Sequence, residues 1–154
     1  MWTLLLYLLK VARRLFFVQT PGHRAEGPGK LGCEAPIMSD LSNETCEACR
    51  FDAPRVQEDE RQELGQQIPD WETVTVDQVE RLRRVFKLKD YQQAVQFTNR
   101  IADLAEAENH HPLIVLEWGK VTVEWWTHKI QGLHRNDFIS AAKTDRLLGE
   151  LGSP

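Results

Sequence analysis

The sequence predicts an α+β fold: two layers, with a four-stranded antiparallel sheet covered on one face by helices. Three observations carry that expectation. A long stretch with apolar residues at helical spacing, Tyr91–Glu108, runs without a Gly or Pro. Segments with strand character stand on both sides of it, the later two around Gly119, a hairpin signal. A second helical pattern then closes the chain beyond Gly132. The expected order is ββαββα with an extra N-terminal helix ahead of it.

Taken in order, residues 1–37 look foreign to the rest. Lys10, Arg13 and Arg14 interrupt two apolar runs, so no stretch approaches the roughly 20 residues of a membrane span. The basic residues follow the first apolar run rather than precede it, unlike a secretory signal. As a helix the segment would be basic and amphipathic, a form that can lie on a membrane surface. Pro21–Pro36 is rich in Gly and Pro and reads as disordered. Met38 stands where the sequence becomes orderly, so residues 1–37 are expected to be a leader outside the working domain, 38–154.

Cys46 and Cys49 form a CxxC with no second Cys or His pair at zinc-finger spacing and no strand before it, so it reads as two cysteines in an N-terminal arm. Glu58–Gln67 is a short polar helix ending near Pro69. Trp71–Val76 and Val79–Leu88 follow as strands. In the second, Leu82, Phe86 and Leu88 share a face with Arg84 as the exception, and Arg81, Arg83, Lys87 and Lys89 line the other, read as a solvated face. Asp90 with Gln93 makes a capping-box pattern for the long helix, whose buried stripe is expected from Tyr91, Ala94, Val95, Ile101, Ala102 and Ala105. Leu113–Trp118 and Lys120–Thr127 form the second hairpin. In its later strand Val121, Val123 and Trp125 alternate with Thr122, Glu124, Trp126 and, beyond, His128. Asn136 or Asp137 should open the last helix, with Phe138, Ala141, Ala142 and Leu148 as its apolar side, before a frayed tail from Gly149.

Composition narrows the function. With 42% hydrophobic and 27% charged residues the chain is ordinary for a globular protein. Net charge is −4, and the leader is basic, so the body is more acidic still. That argues against direct nucleic-acid binding, which needs a basic surface.

The chemistry concentrates in Glu106-Ala-Glu-Asn-His110-His111-Pro112 and Trp125-Trp126-Thr127-His128, which hold three of the five histidines. Glu106 and His110 are four apart and would share a helix face. Pro112 stops the helix, so the histidine pair should sit at its C-terminal end, where the helix dipole favours a protonated imidazole. A helix end and a strand end bearing imidazoles can converge on one pocket. A metal site is one reading, but adjacent histidines diverge by about 100° on a helix, and the HExxH spacing is absent. Metal-free acid–base chemistry is the preferred one: histidine titrates near neutrality, so one ring donates a proton while another accepts.

Glu106-x3-His110-His111-Pro112, then Trp125-Trp126-Thr127-His128, then Gly132-Leu133 and Asp137 resembles the signature of the pterin-4a-carbinolamine dehydratases, also called 4a-hydroxytetrahydrobiopterin dehydratases. The resemblance spans residues 38–150 and includes Phe86–Tyr91 and Trp71. Cys46-x2-Cys49 and Gly132–Asp137 are similar to its bacterial branch. The resemblance implies a hydro-lyase that removes the 4a-hydroxyl of a tetrahydropterin as water and yields quinonoid dihydropterin. That recycles the pterin of an aromatic amino acid hydroxylase, with no metal or other cofactor. It implies His110, His111 and His128 as catalytic histidines, with His110 and His128 in proton transfer and His111 holding the pterin or sharing in that transfer. Glu106 would orient His110, and Asp137 would pair with His128. Trp71 would wall the pterin site or pack in the core. It also implies a homodimer or homotetramer in the cytoplasm. The alternative is a binding role on the same fold, as a transcriptional coactivator or an assembly factor.

Overall fold

The structure, a computed structural model, describes residues 39–48 and 50–151, all within a compact unit that runs from Ile37 to Pro154. The expectations for the leader, including the Met38 start, and for the side chain of Cys49 lie outside these residues. The described elements are a 3-10 turn at Leu41–Asn43, α1 (Glu58–Gly65), β1 (Glu72–Val76), β2 (Val79–Lys87), α2 (Tyr91–Glu108), β3 (Leu113–Glu117), β4 (Lys120–Trp125) and α3 (Arg135–Glu150). This is the expected α+β design. The strands form one antiparallel sheet in the order β1-β2-β4-β3, so the two hairpins meet along β2 and β4.

The hairpins close differently. Val76 pairs with Val79 across Asp77 and Gln78, which both take positive φ, the hand that matches the twist of the flanking strands. The later hairpin turns on Gly119, at φ 65°. A Cβ there would stand 3.2 Å from the Leu88 carbonyl oxygen, which makes Gly119 doubly suited to the turn.

Alternation sets the two sheet faces. Leu82 and Phe86 of β2 and Val121, Val123 and Trp125 of β4 point inward and are buried under the helices. From α2 they meet Ala94, Phe97, Ile101 and Ala105. Tyr91 and Ala102, expected in that stripe, are exposed, and Phe97 takes the central place. Phe97 packs edge-on against Phe86, with ring centroids 4.8 Å apart. α3 contributes Phe138, Ile139 and Ala141. Arg84 does face inward. It lies over the Phe86 ring and joins Asp145 at 2.7 Å and Asp70 at 2.6 Å, so the buried cation has its counter-charges.

The outward face is less solvated than the sequence suggests. Arg81 and Arg83 both clasp Glu124, which is buried between them. Part of the expected basic stripe is therefore neutralised within the sheet. Among the described residues no helix is long and apolar enough to cross a membrane.

The N-terminal arm is tied to the body. Cys46 donates its backbone N–H to Glu108, and its thiol lies near Ser140. Burial pushes that thiol up to about 12, so Cys46 is a packed side chain rather than a nucleophile. Arg55 donates to the Ile130 carbonyl through Nε and Nη2, at 3.2 and 2.8 Å, and the Val56 N–H reaches the Leu133 carbonyl. The arm thus braces the 127–133 loop.

Candidate active site

The site begins where α2 stops. Helix backbone ends at Glu108, and Asn109 turns left-handed at φ 50°. Its N–H returns to the Glu106 carbonyl and the His110 N–H to the Ala105 carbonyl, the paired bonds of a Schellman-type ending. The turn takes His110 off the helix surface and directs it into the protein. His111, next in an extended segment, faces outward. Adjacent histidines thereby reach different environments.

His110 is 3% exposed. Its ring stacks on Trp125 at a centroid distance of 5.3 Å and 19° between planes. Its Nε2 lies 2.7 Å from Asp137 Oδ1. The other carboxylate oxygen of Asp137 accepts from Thr127 Oγ1 at 3.1 Å and from the His134 N–H at 2.7 Å. With both other donors on Oδ2, Asp137 Oδ1 is left facing His110 Nε2 alone, placed to accept a hydrogen bond from it. The His134–Asp137 contact is also one half of the capping box that starts α3. The same carboxylate therefore begins a helix and fixes an imidazole.

Two predicted pairings change. Glu106 does not orient His110. It lies 3.1 Å from His111 Nε2, with both side chains largely exposed. The four-residue spacing fails because the helix ends before His110. Asp137 pairs with His110 rather than His128. His128 Nε2 lies 3.3 Å from the His111 carbonyl oxygen instead. Trp71 does not reach the histidines. It is buried, packs edge-on against Phe86 and donates from Nε1 to Asp145 at 2.8 Å. It belongs to the core, not to a wall of this cleft.

The three histidines nonetheless come together. Asn109, His110, His111, Thr127, His128 and Lys129 line one cleft of about 150 Å³. An isolated bridge between Thr127 and Gly132 closes the loop that carries His128 and Lys129. The cleft is smaller than the roughly 300–1,000 Å³ of typical ligand pockets. A cavity of about 340 Å³ exists elsewhere, between the N-terminal arm and the start of α3. Its Arg135 is committed to Glu44 and Glu60, and of the three candidate histidines none lines it, so the smaller cleft is the candidate site. Among the described residues no group of three or more His, Cys, Asp or Glu side chains is placed to hold a metal ion.

Sequence reasoning did not find Thr127 as a ligand of Asp137, Trp125 as the floor under His110, or Asn109 as the turn. The His134-x-x-Asp137 spacing was a signal for the role of Asp137 at the start of α3.

Comparison with known proteins identifies the family. Residues 54–147 match the family model for pterin 4 alpha carbinolamine dehydratase. A provisionally named pterin-4-alpha-carbinolamine dehydratase of Nitrosococcus oceani is 60% identical over 111 residues, 72% of this chain and 98% of that protein. One from Marinobacter nauticus, named in the same way, is 56% identical over 71% of this chain and 99% of its own. A crystal structure from Brucella melitensis, described as a transcriptional coactivator/pterin dehydratase, superposes with a TM-score of 0.56 at 31% identity, over 61% of this chain and 98% of that one. The chain therefore belongs to the pterin 4 alpha carbinolamine dehydratase family.

Proposed function

We propose that the protein dehydrates a 4a-hydroxytetrahydropterin to quinonoid dihydropterin and water, using its histidines as acid and base with no metal or other cofactor. The observation that carries this reading is the meeting of His110, His111 and His128 on one cleft, with His110 held by the buried Asp137. The elimination breaks the bond between C4a and its hydroxyl oxygen and takes a proton from a ring nitrogen. One group must protonate the departing hydroxyl while another accepts the ring proton.

The environments suggest the division. Held through Nε2 by Asp137, His110 keeps a fixed orientation, as a base should. His128 sits at the open rim, where it can protonate the hydroxyl as it leaves into solvent. His111, steadied by Glu106, holds the pterin. The substrate then comes from an aromatic amino acid hydroxylase, and the protein works as a homodimer or homotetramer in the cytoplasm.

The test supplies the full chain with freshly generated 4a-carbinolamine and follows quinonoid formation by absorbance. The expected result is acceleration over buffer that chelators do not remove. His110→Ala and His128→Ala should each lower kcat by about 10²-fold or more with a small change in pterin affinity. No acceleration, or loss on chelation, overturns the proposal. The description of the Brucella melitensis structure favours a second reading, a coactivator-like binding role. It becomes the leading one if the wild type does not accelerate the reaction.

A further inference from the structure

We propose that Trp126, backed by Arg81 and Glu124, is the positioning residue for His128. This rests on the reading of His128 as an acid–base group in the cleft. The strand pattern puts the parts together. Glu124, Trp126 and His128 alternate on the outward side, while Trp125 and Thr127 turn in. The register that pairs Leu82 with Trp125 and Arg83 with Glu124 brings Arg81 beside Trp126.

The contacts then run in series. Glu124 is 5% exposed. Its Oε2 accepts from Arg81 Nη1 at 2.9 Å, and its Oε1 accepts from Arg83 Nε at 2.8 Å. The Arg81 guanidinium lies 4.0 Å over the Trp126 ring, a cation–π contact. The indole, fixed on that side, meets the His128 ring at a centroid distance of 4.3 Å and 41° between planes.

His128 needs such support. Its loop leaves the sheet after Trp125, its side chain is exposed, and its Nε2 contact with the His111 carbonyl is long at 3.3 Å. An exposed imidazole on a loop has many rotamers, and proton transfer needs one of them. The indole supplies a flat surface that limits the ring's choices, and Arg81 with Glu124 keeps that surface still. None of the three needs to touch the reacting atoms.

The experiment uses the full-length chain and two readouts. The first is the NMR position of the His128 ring protons, assigned by their absence in His128→Ala and displaced in the wild type by the indole ring current. The second is kcat and KM for dehydration. Arg81→Met keeps the indole and removes its backing. It should move the His128 signals toward those of a free histidine and lower kcat about tenfold, with KM within about twofold. Trp126→Leu should lower kcat at least as far, and Trp126→Phe, which keeps an aromatic face, should recover most of it. Unchanged His128 signals and kcat in Arg81→Met overturn the proposal. So does a rise in KM at constant kcat, which would make Trp126 a substrate contact. If the wild type does not dehydrate the carbinolamine at all, the functional reading falls, and the ring-proton shifts in Arg81→Met alone decide whether Trp126 and Arg81 position His128.

Discussion

Asp137 is where residue chemistry and fold meet. A fully buried carboxylate is costly unless its oxygens are satisfied, and here His110, Thr127 and the His134 N–H satisfy them. Asp137→Asn keeps the size but replaces one oxygen with a donor. If the retained oxygen stays with Thr127 and His134, the new amide faces His110 Nε2, donor against donor, unless the imidazole changes tautomer. The expected outcome is a stability loss of about 1–3 kcal/mol and a fall in kcat of about 10²-fold, read by thermal melting and by dehydration rate. A variant with wild-type kcat would remove Asp137 from the proton-transfer machinery. His111 and Glu106 make the contrast. Their contact is exposed, and pairs of that kind contribute at most about 1 kcal/mol, so Glu106→Gln should leave the melting temperature nearly unchanged.

At the scale of elements, the end of α2 decides the site. Asn109 at φ 50° is the pivot that separates His110 from His111. Side chains other than Gly, Asn and Asp resist the left-handed region. Asn109→Ala should therefore cost about 1–2 kcal/mol and loosen His110, while Asn109→Gly should remain close to wild type. Thermal melting of both variants checks this, and equal melting temperatures would remove the pivot argument. Gly, Asn and Pro signals predict that a helix stops, and Pro112 did predict it. The direction in which the chain leaves depends on a single residue's φ, which periodicity does not encode. For that reason the long helix, both hairpins and the meeting of the three histidines on one cleft were legible in the sequence. The pairing of His110 with Asp137, 27 residues apart, was not, because it needs the turn, the β4 strand and the start of α3 together. Trp71 shows the same limit. A lone aromatic before a strand suits a core or a ligand wall equally well, and only packing against Phe86 with a bond to Asp145 distinguishes them.

At the scale of the whole molecule, ion pairs tie the chain's early segments to α3, and they set opposing responses to acid. The Arg135 guanidinium holds the Glu44 carboxyl below its ordinary range. Burial pulls the Glu108 carboxyl upward, but the Lys143 ammonium and the Cys46 N–H outweigh it, so the net shift is downward. Asp145 goes the other way: burial raises it, against the Trp71 Nε1–H and Arg84. A carboxyl lowered in the fold stabilises the native state above its unfolded value and loses that contribution as pH falls through its folded value. A raised carboxyl contributes most below its unfolded value and loses that contribution as pH rises through its folded one. Glu44 and Glu108 thus fasten the N-terminal arm and the end of α2 to α3 at neutral pH and release them as the pH falls below the ordinary glutamate range, while protonation of Asp145 partly offsets the loss. Melting temperatures of the wild type, Glu108→Gln and Asp145→Asn between pH 3 and pH 7 separate the two effects. Glu108→Gln should be destabilised at pH 7, and its gap to the wild type should narrow as the pH falls and the native carboxyl takes up its proton. Relative to Asp145→Asn the wild type should gain stability as the pH falls, because only the native aspartate takes up a proton, and the two should approach each other in acid, where the amide resembles the protonated carboxyl. Parallel curves for all three proteins would mean that these carboxyls keep their ordinary values in the fold. Because the arm also braces the His128 loop through Arg55 and the Ile130 carbonyl, its release in acid should reduce dehydration before the sheet unfolds.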